Sequence, residues 1–191
     1  MKTLALWLTV AFIASPAHAD EAAIKHAADS LVRAFIGGCV QVMPNVDRIE
    51  TSAKALGWKE MDQAAAAMLA PPNPTAKWKA WLVNEGADVP FFLGISQGTA
   101  NGKSFSVCAV VNRSAPSAPV RAALTRMLSL GEPLETEIDG GQQYTYWMTK
   151  FMDNEIIISL IDATPMEEAG VNIAVTSVSY THLTLPTKRI V

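Results

Sequence analysis

The chain has 191 residues, of which half are hydrophobic, enough for one domain with a sizeable core and too few for two comfortable ones. Acidic side chains outnumber basic ones by 18 to 15, and no basic block interleaved with aromatics occurs, which argues against nucleic acid as a partner. Two cysteines and three histidines leave little from which to build a metal site.

The first stretch, MKTLALWLTVAFIASPAHAD, has the three parts of an export signal. Lys2 supplies the positive charge and Leu4 to Ala14 the apolar run. Ser15 and Pro16 break that run, and Ala17-His18-Ala19 gives a small-x-small cleavage site. A membrane span needs roughly 20 apolar residues, and this run is shorter. Asp20, not cysteine, follows the cut, so no lipid anchor is expected. The reading is a signal peptide over 1–19, cut after Ala19. The product is then periplasmic or secreted, with no stable membrane anchor after cleavage.

Residues 21–36 place Ile24, Ala28, Leu31 and Phe35 at helical spacing, and Gly37-Gly38 are predicted to stop that helix. Cys39 stands just past the glycines. Two cysteines of one exported domain usually pair, so a disulfide between Cys39 and Cys108 is expected, closing a loop of about 70 residues. A cysteine nucleophile needs a histidine base; His26 is the candidate, and nothing in the sequence links it to Cys39. Two cysteines this far apart match no zinc pattern, and no cofactor is expected.

Asn45 is placed to cap a second helix with Val46, Ile49, Ala53 and Leu56 on its buried face and Gly57 at its left-handed end. KEMDQAAAAMLA, residues 59–70, reads as a third helix by propensity, ending before Pro71-Pro72. PPNP, residues 71–74, is the clearest internal boundary. Beyond it the period drops to two. KWKAWLV sets Trp78, Ala80 and Leu82 against Lys79 and Trp81. PFFLGIS and SFSVCAVVN are further strands, joined through a turn at Asn101-Gly102. Cys108 falls inside a strand.

One more helix is predicted, capped by Ser117, with Pro119 in its first turn and Val120, Leu124, Met127 and Leu128 facing inward as far as Gly131. QQYTYWMTKF, NEIIISLID and VNIAVTSV then return to strand, with a tight turn at Asp153-Asn154. Short connections between neighbouring strands require antiparallel pairing. The predicted fold class is α+β: N-terminal helices packed with an antiparallel sheet of about six strands, interrupted by one helix, in a single domain over 20–177.

The final segment, VSYTHLTLPTKRIV, has no acidic residue and no clear periodicity. It resembles a translated sequencing-adapter tail, so 178–191 is expected to be non-native and is left out of the fold. Removing Lys2, Lys188 and Arg189 from the 15 basic residues leaves 12 against 18 acidic, a net charge of −6 for the domain. FIGGCVQVMPNVDRIE, GWKEM, AKWKAWLV with PFFLGISQG, and LIDATPMEEAGVN together resemble a family of short secreted proteobacterial proteins of unknown function. The resemblance covers most of residues 30–176. It implies export and a single domain, and it brings no activity with it.

Gly94-Ile95-Ser96-Gln97-Gly98 matches the letters of the G-x-S-x-G nucleophile elbow. An elbow needs a strand, a sharp turn, a helix and a later histidine. Here a second strand follows, and the only later histidine is His182, in the tail. Asp162 and Glu155 are the carboxylates to weigh for acid–base chemistry. Against that, Asp162 before Thr164-Pro165 suits an Asx turn, Glu155 sits beside a hairpin, and Glu167-Glu168 reads as solvated loop. Trp58, Trp78, Trp81 and Trp147 are many for a domain of this size. Trp81 is either an anchor for a partner or a core residue packed beneath the helices. The expected function is an exported, non-catalytic module that binds a protein or small molecule in the cell envelope or outside it. The alternative is a small periplasmic hydrolase using Ser96 or Asp162.

Overall fold

The structure is a computed structural model that describes residues 16–43, 45–64, 66, 69, 76–84, 88–100, 102–152, 154–163 and 169–179. The apolar run of the expected signal peptide, the PPNP boundary, Glu167-Glu168 and all but the first two residues of the expected non-native tail lie outside these. No helix among the described residues is long and apolar enough to cross a membrane.

Helix α1 (Pro16–Phe35) buries Ala28, Leu31, Val32 and Phe35, whereas Ile24, expected in the same stripe, is 44% exposed. Gly37-Gly38 do not stop it. The chain continues into a π-helical turn, Ile36–Val40, closed by the Gln41 N–H donating to the Ile36 carbonyl at 3.0 Å. The two glycines ease that wider turn, and the missing side chain of Gly38 lets Leu93 approach to 3.3 Å of where a Cβ would stand. Helix α2 (Val46–Ala55) buries Val46, Ile49 and Ala53 and starts without a side-chain bond from Asn45. Its end is a Schellman motif. The Trp58 N–H donates to Ala53 at 2.9 Å and the Gly57 N–H to Lys54 at 3.2 Å, with Gly57 at φ +67°. Leu56, expected on the buried face, is 65% exposed.

The third predicted helix is not formed where the chain is described. Lys59–Glu60 make a short strand, β1, in register with Leu82 and Trp81, and the described residues after it form turns. Sheet pairing overrides helix propensity here, and Ala66 is buried.

The remaining elements are β2 (Lys77–Val83), β3 (Phe91–Ala100), β4 (Lys103–Pro116), α3 (Ser117–Met127), β5 (Glu135–Asp139), β6 (Gln142–Phe151), β7 (Asn154–Ala163) and β8 (Ala169–Ser179). The eight strands among the described residues form one antiparallel sheet in the order β1-β2-β3-β4-β8-β7-β6-β5. The fold is α+β as expected, with eight strands rather than six, and the two unanticipated strands are the sheet's two edges. The arrangement is quasi-symmetric: helix plus four-strand meander occurs twice, and the meanders meet at β4 and β8.

The helices cover one face. Trp81, Leu93, Ile95, Cys108, Val110, Ile173, Val175, Ile158, Leu160 and Trp147 point into that layer and are buried with the stripes of α1, α2 and α3. On the other face Phe92, Val107, Ala109, Val111, Tyr144, Tyr146, Ile157 and Ile161 are only partly buried. Gly102 has φ +75°, as the predicted turn requires. The β6–β7 turn comes one residue early, because Phe151 pairs with Asn154 and Met152 takes the positive φ. Ser117 is the first residue of α3 rather than its cap, which is Pro116.

The expected disulfide is present. Cys39 and Cys108 are bonded with Cα atoms 5.4 Å apart, both fully buried, joining the π-helical turn to the middle of the sheet.

Candidate functional site

Ser96 lies in the interior of β3, paired on one side with Trp78 and on the other with Val107, and is 8% exposed. A residue inside a continuous strand has no sharp turn beneath it, so the G-x-S-x-G letters carry no elbow. No base is hydrogen-bonded to it among the described residues, and that arrangement does not support a serine nucleophile.

Asp162 is not in a turn. It belongs to β7, faces the helices and is 1% exposed. Arg121 of α3 donates to it through Nη2 at 2.7 and 2.8 Å and through Nε at 3.2 Å. Arg121 Nη1 also donates to Thr145 Oγ1 at 3.0 Å, and Gln143 Nε2 reaches the same oxygen at 3.3 Å. Burial raises the carboxyl above its ordinary value, and the arginine opposes that rise. With both oxygens engaged by one guanidinium, Asp162 is a clamp between α3 and the sheet, not a free acid or base. Glu155 is exposed at the start of β7.

Trp81 is not available as an anchor. It stands at 3% exposure on the helix-covered face, because its register opposite Leu93 turns it inward. Trp78, on the other face, is partly buried. Among the described residues no group of three or more His, Cys, Asp or Glu side chains is arranged to hold a metal.

A cleft of 590 Å³ with a largely apolar lining lies elsewhere, between α1, the π-helical turn, α2 and the joined ends of β2 and β3. Leu31, Ile49, Val83 and Phe91 form its buried floor, and Val42, Leu56, Trp58 and Val89 its more open walls. Polar groups stand at the mouth. The Ser30 hydroxyl donates to Asp88 Oδ2 at 2.6 Å, and His26 Nε2 is 3.5 Å from the same oxygen. Arg33, exposed on α1, has no carboxylate partner among the described residues.

Each lining feature has a local cause. The Schellman end of α2 swings Trp58 back toward the cleft and leaves Leu56 on its lip. Gly37 leaves its wall open, since a Cβ there would meet nothing within 4 Å. Sequence reasoning missed this site because its residues come from four separate segments. The signals present were the Gly37-Gly38 pair and an apolar Leu56 beside Gly57. No family model, no curated protein and no solved structure matches the chain.

Proposed function

We propose that the protein is an exported, non-catalytic binding module, and that the cleft between α1 and α2 takes a small amphipathic ligand with an anionic head. The observation that carries the reading is the cleft itself. Its volume falls in the range of about 300–1,000 Å³ usual for small-molecule sites, and its lining is apolar with few polar groups at the rim. Arg33, without a carboxylate partner among the described residues, supplies the positive charge that an acid head would meet. A π-helical turn at the wall fits the tendency of such turns to lie at functional sites. Export is supported by the leader sequence and by a disulfide, which needs an oxidising compartment to persist.

Decanoate is a suitable probe. Its titration should shift the emission of Trp58 and release heat in calorimetry, while Trp58→Phe removes the optical signal and keeps the heat. Arg33→Ala should weaken decanoate roughly tenfold or more, the worth of a charge-assisted hydrogen bond, and leave decanol unaffected. Absence of heat at millimolar decanoate with a folded protein would sink this reading. N-terminal sequencing of the processed protein should begin at Asp20.

A further inference from the structure

The second edge of the sheet differs from the first. Strand β1 offers two residues, whereas β5 (Glu135–Asp139) is exposed along its whole length and pairs only with β6. Its turn to β6 is Gly140-Gly141 with φ +56° and +76°, the two-residue type that makes Asp139 and Gln142 a hydrogen-bonded pair. Alternation along an antiparallel ladder then turns the N–H and C=O groups of Thr136 and Ile138 outward, where no strand meets them among the described residues.

The side chains on this edge are sorted by face. Glu135, Glu137 and Asp139 lie on the face away from the helices, in register with Tyr146, Tyr144 and Gln142. On the helix side Ile138 is 67% exposed, and Leu134, just before the strand, is 63% exposed and donates its N–H to the Tyr146 carbonyl at 2.8 Å. Residues 127–149 contain four acidic side chains and no lysine, arginine or histidine. The field is felt locally: burial raises the Tyr146 phenol's pKa, and Glu137 and Glu135 raise it further. Two copies pairing through β5 in antiparallel fashion would set one acidic row against another, which is destabilising. The edge therefore disfavours its own kind and suits an opposite charge.

We propose that β5 receives an extended segment of a partner protein as a further strand, with Lys or Arg at alternate positions against the acidic row and apolar residues between them against Thr136 and Ile138. Main-chain bonds to Thr136 and Ile138 hold the strand, and the alternation selects it.

The probe is the peptide Ac-KVKIKVK-NH2, compared with its isomer Ac-KKVIVKK-NH2 and with Ac-EVEIEVE-NH2. Fluorescence anisotropy should show the alternating basic peptide binding at least tenfold more tightly than its isomer, and at least tenfold more weakly at 300 mM than at 50 mM salt. Amide exchange of Thr136 and Ile138 should slow on binding. The double variant Glu135→Lys, Glu137→Lys keeps the exposed strand and should exchange preference, losing the basic peptide and gaining the acidic one. Equal binding of the two basic isomers, or binding without protection of those amides, would reduce the effect to plain charge attraction and overturn the proposal. So would no binding at millimolar peptide. A double variant that merely self-associates, beside a wild-type chain that binds nothing, would show that the acids serve only to keep copies apart.

Discussion

Asp162 and Arg121 illustrate how a residue that looks chemical becomes structural. The Asp162 side chain is fully enclosed and the Arg121 side chain is 19% exposed, so each charge depends on the other for solvation. Removing one partner strands a charge, and Asp162→Asn should cost about 3 kcal/mol or more in urea denaturation. Replacing both, Arg121→Met with Asp162→Leu, should restore most of that loss, because a well-packed apolar pair is often no worse than a buried ion pair. Equal stability of the single variant and the parent would show that the clamp carries no weight. Trp81 gives the same lesson from the apolar side. Its neighbours in sequence are Ala80 and Leu82, and only the register with β3 decides which face it takes. Nothing local in KWKAWLV distinguishes the buried tryptophan from the half-buried one.

At the scale of elements, α1 and α3 are tied across the helical layer by one carboxylate. Asp29 accepts from Lys25 at 2.8 Å and from Arg126 at 2.6 Å. Those two bonds, Lys25 first, hold Asp29 below its ordinary value of 3.8. A carboxyl with a lowered folded pKa adds stability above its unfolded value and loses it as the pH falls through the folded one. Thermal melts of the parent and Asp29→Asn should therefore differ most at pH 5 and converge as the pH drops below 3.8. A gap of constant size would exclude the linkage. The elements that were readable in the sequence are those with a strong period and a buried face: α1, α2, α3 and the six inner strands. The edges were not readable. ETEID buries nothing, so it has no apolar alternation to detect, although Asp139-Gly140-Gly141 was a usable hairpin signal. KEMDQAAAAMLA misled in the opposite direction, since its alanines favour helix while Lys59 and Glu60 are drawn into the sheet by β2. Gly37-Gly38 read as a stop because glycine usually is one, and a π-helical turn leaves no sequence periodicity of its own.

For the whole molecule, the disulfide was the most legible long-range contact, because two cysteines in an oxidising compartment leave a single pairing. It joins the helical layer to β4 across a separation of 69 residues. Its loss should lower stability by about 4 kcal/mol in the chain-entropy account, seen as a lower urea midpoint for Cys39→Ser with Cys108→Ser. Because both sulfurs are enclosed, the native protein should resist alkylation after mild reductant and yield two thiols only once unfolded. The candidate cleft was the least legible feature. It is assembled from residues between 30 and 91, and its shape depends on how α2 ends rather than on any motif.

The position of β8 has a consequence for how the chain comes together. It is synthesised after every other described strand, yet it sits mid-sheet between β4 and β7. Among the described residues no other strand of one meander pairs with a strand of the other, so this segment is the keystone of the arch. While a ribosome is still making it, the nascent polypeptide holds two unfinished ribbons with raw inner margins. A product cut short before Ala169 would never close them.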